Sequence, residues 1–279
     1  MGHRSGPLVP RGRSYWTTRV FVDHAELYGE VLAARKQDAL PEVRGIRRIL
    51  DGEGIPRNGR VVDIACGIGR HIIPLAQLGY RAVGCDFSPG FIDQARNWAG
   101  KAHLDESRVR FYEADYRFLD RVLRRAHEPP FDAAICIFTS MGHYGEKGDV
   151  ATMRAVRRVV RPGGLFVLEM GNRDWVVRHY EPKGVTRATK TLQQRESRRF
   201  DWETSTVRSK WTFYREVGQR RRNVLEEEIT VRLYSLHELK SLFERAGWEY
   251  VHSYGDLTTL EPVSLDSRRL VVVGRRPDH

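Results

Sequence analysis

Residues 61–69, Val-Val-Asp-Ile-Ala-Cys-Gly-Ile-Gly, constrain the fold of this chain more than any other stretch. Val61, Val62 and Ile64 form a short apolar run of the kind that makes a buried strand, and it passes directly into a Gly-x-Gly turn. A helix is expected next, with Ile72, Ile73, Leu75, Ala76 and Leu78 as its apolar face. Strand, glycine turn and helix in that order open an α/β unit, and glycine lets the turn's backbone approach a ligand closely. A dinucleotide fingerprint would carry a third glycine three positions after Gly69. Ile72 stands there, which favours a nucleoside cofactor without a pyrophosphate.

Further strands follow at regular distances. Residues 81–86 form a second short strand whose terminal acid, Asp86, falls 17 residues after Gly69. A carboxylate at that tip can accept hydrogen bonds from both hydroxyls of a ribose. Residues 108–115 make a third strand ending on Asp115, placed to take an adenine amino group. Residues 131–138 make a fourth, and residues 162–169 a fifth after a helix over about 149–160. Ser88-Pro89 reads as a helix opening with Ser88 as its cap, which leaves Asp86 for a ligand. Asp115 has an alternative role as cap of the turn that begins at Tyr116.

These five ordered elements, with acids at two strand ends, resemble the class I S-adenosylmethionine-dependent methyltransferases over roughly residues 46–172, and again from Tyr234. The resemblance implies an α/β, Rossmann-like fold: a seven-stranded mixed sheet with helices on both faces. It implies S-adenosylmethionine as cofactor, with the glycine loop facing the methionine part. Transferred by position, cofactor contacts fall on Asp63, Gly67, Gly69, Asp86 and Asp115, with Arg70, Phe87, Tyr116 and Phe138 beside them.

The chain divides by pattern. Residues 1–14, containing Gly6-Pro-Leu-Val-Pro-Arg-Gly12, look like a protease-cleavable tag. Residues 15–52 carry two helical patterns, 21–36 and 41–50, expected to form a lid. Residues 53–173 are the cofactor-binding core. Residues 174–233 lose helical period: Val207, Trp211 and Phe213 alternate with Arg208, Lys210 and Thr212, and Gly218-Gln219 marks a hairpin turn. They are expected to form an inserted antiparallel β subdomain of three or four strands. Residues 234–279 complete the core sheet, with Ser235 and Glu238 as a capping box, Gly247 as helix stop and an antiparallel edge pair after it.

An antiparallel insert at this point resembles the small-molecule N-methyltransferases, especially those acting on amino sugars and glycine-type amines. The resemblance implies that the insert roofs the active site and supplies a subunit interface. The segment Phe138-Thr-Ser-Met-Gly-His143 is similar to their Phe-x-Ser-x-Gly-Tyr, with His143 in place of Tyr. His143 and Tyr144 are the catalytic candidates, since a histidine brings a base that titrates near neutrality. Ser140, Glu169, His179 and Tyr180 are candidates for the acceptor side; Glu169 could instead hold Arg173, and His143 could instead bond the cofactor or the lid.

Composition narrows the partners. No run of 18 apolar residues is present, and the N-terminus lacks an apolar signal core. Three cysteines at no metal-like spacing point to a reducing cytoplasm and to no metal site. The net charge of +11 comes from 40 Arg and 7 Lys spread over the whole length, densest in 195–222. Solvated strand faces explain that cluster more simply than nucleic-acid contact. Residues 138–141 lack the Asn-Pro-Pro-aromatic segment of base-flipping amino-methyltransferases, Cys136 lacks a preceding proline, and no acid cluster for Mg²⁺ follows the fourth strand. The reading is therefore a small-molecule methyltransferase, N favoured over O or C. The alternatives are an RNA methyltransferase and a non-catalytic cofactor-binding protein. The aromatics Phe200, Trp202, Trp211, Phe213 and Tyr214 lead to the expectation of a homodimer through the insert.

Overall fold

The computed structural model describes residues 15–278; the tag-like residues 1–14 lie outside the described residues. In chain order the helices are α1 (Trp16–Thr18), α2 (Ala25–Ala34), α3 (Ala39–Gly52), α4 (Ile72–Gln77), α5 (Pro89–Lys101), α6 (Leu119–Arg125), α7 (Gly145–Val159), α8 (Arg173–Arg178) and α9 (Leu236–Arg245). A π-helical turn, Arg19–Asp23, joins α1 to α2. The strands are β1 (Arg60–Asp63), β2 (Arg81–Asp86), β3 (Val109–Glu113), β4 (Phe131–Cys136), β5 (Val160–Gly171), β6 (Lys183–Arg187), β7 (Leu192–Asp201), β8 (Thr206–Val217), β9 (Arg220–Arg232), β10 (Glu249–Tyr254) and β11 (Arg269–Arg275).

Seven strands form one mixed sheet in the order β10-β11-β5-β4-β1-β2-β3. The five strands from β5 to β3 run parallel, and β11 and β10 are added antiparallel at one edge. The chain lays down β1, β2 and β3 in one direction and then returns to place β4 on the other side of β1. That reversal leaves a crevice beyond the carboxyl ends of β1 and β4, where open α/β sheets bind ligands. Both faces of the central strands are covered, so β1, β4 and β5 read as near-continuous apolar runs. The face bearing α6, α7 and α9 packs Val62, Ala134 and Phe166 against Met153, Val156 and Phe243. The opposite face packs Val61, Ile135 and Val167 under Ile46, Ile73 and Ile92 from α3, α4 and α5.

Ser88 caps α5 by accepting from the Phe91 amide at 3.3 Å, and Ser235 with Glu238 closes a capping box on α9, as the sequence predicts. The helix after β4 starts at Gly145, a turn earlier than its apolar pattern suggests. Residues 145–148, Gly-Glu-Lys-Gly, carry no apolar side chain that would show the period.

The insert is a separate four-stranded antiparallel sheet, β6-β7-β8-β9, with the β8–β9 hairpin turning at Gly218. Its inner face sets Leu192, Phe213, Leu225 and Ile229 against Trp16, Val20 and Val31 of the N-terminal segment. The aromatics divide between the faces. Phe213 is fully buried and Trp211 stacks on Tyr28 at 5.9 Å, so both serve the inner face; Trp202 is 66% exposed. On the outer face Tyr214 lies under the Arg221 guanidinium at 4.0 Å, and Lys210 pairs with Glu226 at 2.7 Å.

Candidate functional site

The crevice opens into a cavity of about 320 Å³ with the parallel sheet as floor and the insert as roof. Ile64–Gly67, Asp86, Phe87, Tyr116 and residues 137–140 form the floor, and Trp16, Phe21, Tyr28 and Arg35 close one side. Thr186, Gln194, Glu196, Trp211, Ile229 and Val231 come down from the roof.

Asp86 organises the floor. Its Oδ2 accepts from the Gly67 amide at 2.9 Å and its Oδ1 from the Ser88 amide at 3.0 Å. The Phe87 backbone also bonds this carboxylate, which still keeps a lone pair for a ligand hydroxyl. Burial raises the Asp86 pKa to about 6. Asp63 lies beneath the loop and accepts from the Ala65 amide at 3.2 Å, and burial raises its pKa to about 7. Gly67 lines the cavity at φ +53°. Gly69 stands outside the cavity lining: at φ +90° a Cβ there would lie 2.6 Å from Ile73 Cδ1, so the turn packs closely on its own helix.

Two cations face the glycine loop. Arg70, buried, sits 4.5 Å from the Phe138 ring and donates to the Arg35 carbonyl at 3.2 Å. Arg35 reaches the same ring at 5.5 Å. Burial lowers the Arg70 pKa and raises that of Tyr28 to about 12. A carboxylate such as that of a methionine moiety would compensate these guanidinium groups. Tyr116 contributes a buried phenol without a partner, a donor left for a ligand. Asp86, the two arginines and this phenol together fit S-adenosylmethionine.

Asp115 is engaged elsewhere. Its carboxylate caps the turn after β3, accepting from the Arg117 amide at 2.9 Å, and is gripped by the Arg117 guanidinium at 2.5 Å. It is absent from the cavity wall, where its neighbour Tyr116 stands.

The loop after β4 carries the acceptor-side candidates. Phe138 and Thr139 have φ of +70° and +55°, and the loop is pinned at several points. The Phe138 amide donates to Glu169 Oε2 at 2.7 Å, Thr139 Oγ1 accepts from the Gly171 amide at 3.0 Å, and the Ser140 hydroxyl donates to the Ile137 carbonyl at 2.9 Å. His143, half-buried in the wall, packs edge-on against Trp16 at 5.0 Å and near Phe21 at 6.2 Å. Burial lowers its pKa to about 4, partly countered by a hydrogen bond with the Thr139 backbone. The imidazole is therefore neutral at physiological pH.

Four other candidates lie away from the cavity wall. Tyr144 stacks on Tyr15 at 5.3 Å with the Arg117 guanidinium 3.7 Å from its ring, and its hydroxyl lies 3.4 Å from that of Thr17. Glu169 is paired with Arg269, one of its contacts at 2.7 Å, while Arg173 lies against Asp174 and Glu238. Arg269, from β11, is the one that reaches the wall. His179 stacks on Trp175 at 4.6 Å, and Tyr180 donates to the Arg198 carbonyl at 2.7 Å. Each already has a local partner.

Sequence reasoning missed Trp16, Tyr28, Arg35, Gln194 and Glu196. The only signal was periodicity: Gln194 and Glu196 alternate along β7, and Glu196 pairs across the ladder with Trp211. Among the described residues no His, Cys, Asp and Glu group is placed to hold a metal ion, and no helix is long and apolar enough to cross a membrane. Cys66, Cys85 and Cys136 are free and buried.

Comparison with known proteins agrees with this geometry. Residues 61–164 match a family described as a methyltransferase domain. Human glycine N-methyltransferase is 30% identical over 125 residues, 42% of each protein. An S-adenosyl-L-methionine-dependent Diels-Alderase of Talaromyces variabilis is 29% identical over 116 residues, 41% of this chain and 37% of that protein. The chain thus spans about two fifths of the curated relatives it matches. Among solved structures, an S-adenosylmethionine-dependent methyltransferase from Clostridium acetobutylicum superposes with a TM-score of 0.75 at 15% identity, covering 91% of this chain and 98% of that one. The sugar N-methyltransferase KedS8 from Streptoalloteichus gives 0.66 at 20% identity, covering 90% and 92%. Residues 61–164 thus match a methyltransferase domain, and the seven-stranded sheet around them has the fold of solved S-adenosylmethionine-dependent methyltransferases.

Proposed function

We propose that the protein methylates a small-molecule amine. The observation that carries this reading is His143, a neutral and weakly basic imidazole in the cavity wall. Bound S-adenosylmethionine supplies a methyl group on a sulfonium, and the protein must align the acceptor's lone pair behind it. A hydroxyl or an acidic carbon would need a stronger base than an imidazole with a pKa of about 4. An amine already neutral needs only orientation: His143 accepts its N–H and leaves the nitrogen lone pair directed at the methyl.

The roof supports a compact acceptor with one apolar face. Trp16, Phe21, Trp211, Ile229 and Val231 offer apolar and aromatic surface, while Gln194 and Glu196 supply the polar edge. Glu196 is held by Gln194 at 3.2 Å and by Arg198 at 2.8 Å, a fixed acceptor for ammonium or hydroxyl protons. Amino sugars and glycine-type amines satisfy these requirements. Incubation with methyl-labelled S-adenosylmethionine and pooled amines, phenols, keto acids and tRNA tests the reading. Label in the amine pool supports it. Label in tRNA, or polyanion affinity falling steeply with salt, would move the function to RNA. Cofactor binding without label in any pool would leave a non-methylating role such as that named for the Talaromyces relative.

We also propose a homodimer through the insert. β6 is an edge strand with Val185 62% exposed, and an open edge invites pairing with a second copy. Light scattering at micromolar concentration should give twice the 32.3 kDa chain mass; a monomer would make the insert a roof alone.

A further inference from the structure

Gly142 sits at the far end of the loop that carries His143, and two parts of the chain hold it. Its amide donates to Asp149 Oδ1 at 3.1 Å, and its carbonyl accepts from the Arg232 amide, at the end of β9, at 2.8 Å. The fit leaves no space: at φ +93°, a Cβ on Gly142 would lie 2.3 Å from the Arg232 carbonyl oxygen. The other oxygen of Asp149 accepts from the Tyr234 hydroxyl at 2.5 Å. Tyr234 follows the last roof strand by two residues, and its carbonyl accepts from the Arg173 amide at 3.1 Å.

Asp149 is fully buried in the second turn of α7 and Tyr234 is buried beside it. A carboxylate so placed is tolerated only when hydrogen-bonded, and this one is bonded to the catalytic loop on one side and to the roof's return on the other. The charged groups nearby are Arg232, 5.0 Å from the Tyr234 ring, and its partners Glu238 and Glu146 at 2.8 and 3.8 Å. Neither Asp149 nor Tyr234 reaches the cavity wall. Any effect they have on an acceptor passes through His143, one residue beyond the clamped peptide. The strained backbone at Phe138 and Thr139 makes such clamping necessary, because left-handed residues with side chains persist only where their surroundings fix them.

We propose that Asp149 and Tyr234 are positioning residues that hold His143 against the acceptor and lock the roof to the floor at Gly142. The acceptor half of the site is then complete only when the insert is docked. This proposal rests on the methyl-transfer reading above for its kinetic consequences, though not for its structural ones.

Three variants test it: Asp149→Ala, Asp149→Asn and Tyr234→Phe. Each is measured for S-adenosylhomocysteine affinity, for kcat and KM with an amine found active, and for the titration of His143 followed by NMR. The His143 signal is assigned as the imidazole resonance lost in His143→Ala. Asp149→Ala should lower kcat at least tenfold, with S-adenosylhomocysteine affinity changed less than threefold. It should also move the His143 titration at least one unit upward from about 4 as the loop is released to solvent. Tyr234→Phe, which keeps the packing, should shift both in the same direction by less. Asp149→Asn can still accept from Gly142 and should recover most of the loss. If Asp149→Ala fails to fold, Tyr234→Phe carries the test. An unmoved His143 titration, or losses of turnover that track cofactor affinity and melting temperature in parallel, would overturn the proposal. If no amine is methylated, the function proposed above fails, while the His143 titration still decides this one.

Discussion

The floor and the roof of the cavity are built on opposite principles. The floor is made of strand ends and short turns, where a carboxylate and backbone amides only 2 to 19 residues apart in sequence satisfy one another, as Asp86 does with Ser88 and Gly67. The roof is made of side chains on one face of a long antiparallel sheet, and its cavity residues come from β6, β7, β8 and β9. The floor has groups for ribose and carboxylate, the parts of a cofactor that do not vary. The roof has surface and one polar edge, which suits an acceptor. Cofactor affinity and acceptor turnover should therefore separate under mutation.

The largest effect is expected at the junction of the two halves. His143→Ala should reduce methyl transfer by about 10²-fold, the scale of a lost orienting contact, while S-adenosylhomocysteine affinity stays within about twofold. Since burial lowers the His143 pKa to about 4, the rate at saturating cofactor, corrected for the fraction of acceptor amine left unprotonated, should show no further fall as pH drops through 6.5. A fall there would place the imidazole in solvent when the acceptor binds.

Asp86→Ala comes next, weakening S-adenosylhomocysteine binding by about 1–3 kcal/mol, the range for a buried group whose partners lose it. Equal loss in acceptor KM at saturating cofactor would erase the floor–roof distinction. The same residue gives a pH signature. Its folded pKa of about 6 lies above the unfolded value of 3.8, so its contribution to stability is full below 3.8 and is lost as pH rises through 6. Asp63 and Asp149 act in the same sense, with pKa values of about 7 and 6. His143 and His71 are lowered, so their contribution is present above 6.5 and is lost as pH falls. A ribose contact needs the Asp86 carboxylate, so the thermal shift given by S-adenosylhomocysteine should grow from pH 5 to pH 7. A shift that stays constant over that range would remove Asp86 from the ligand.

Trp211→Ala tests the roof alone. Loss of its ring should raise acceptor KM by several-fold, in line with about 0.5–1.5 kcal/mol for an aromatic contact, and leave cofactor affinity unchanged. Smallest of all, His179→Ala and Tyr180→Phe should change turnover by less than about twofold, because both side chains are occupied outside the wall. A strong effect from either would mean that the roof reaches further than the cavity seen here.

The same division explains what the sequence could reveal. Val61–Gly69, Asp86 and Ser88-Pro89 were legible because strand, turn and cap are local patterns, and the capping box on α9 was legible for the same reason. Alternation in β7 and β8 indicated which residues share a face, but not which face turns inward, so Gln194 and Glu196 went unseen and Trp211 was expected at a dimer contact. Glu169 shows the limit most plainly. Its partner Arg269 is 100 residues away, brought beside it only by the β5–β11 pairing. Asp115 was ambiguous for a local reason: the carboxylate that could have met adenine is taken by an arginine two residues on.

The insert leaves the core and comes back to it at one place. Asn172, just after β5, forms a parallel bridge with Tyr234, just after β9, so the two ends of a 61-residue excursion (173–233) lie side by side. A segment closed at its neck in this way can be lengthened, shortened or exchanged without altering the spacing of any core strand. An ancestral core could thus acquire new acceptors by replacing what hangs from that neck, provided the replacement still ended in a residue able to bond Asp149. Chimeras joined at Asn172 and Tyr234 are the natural place to engineer such a change.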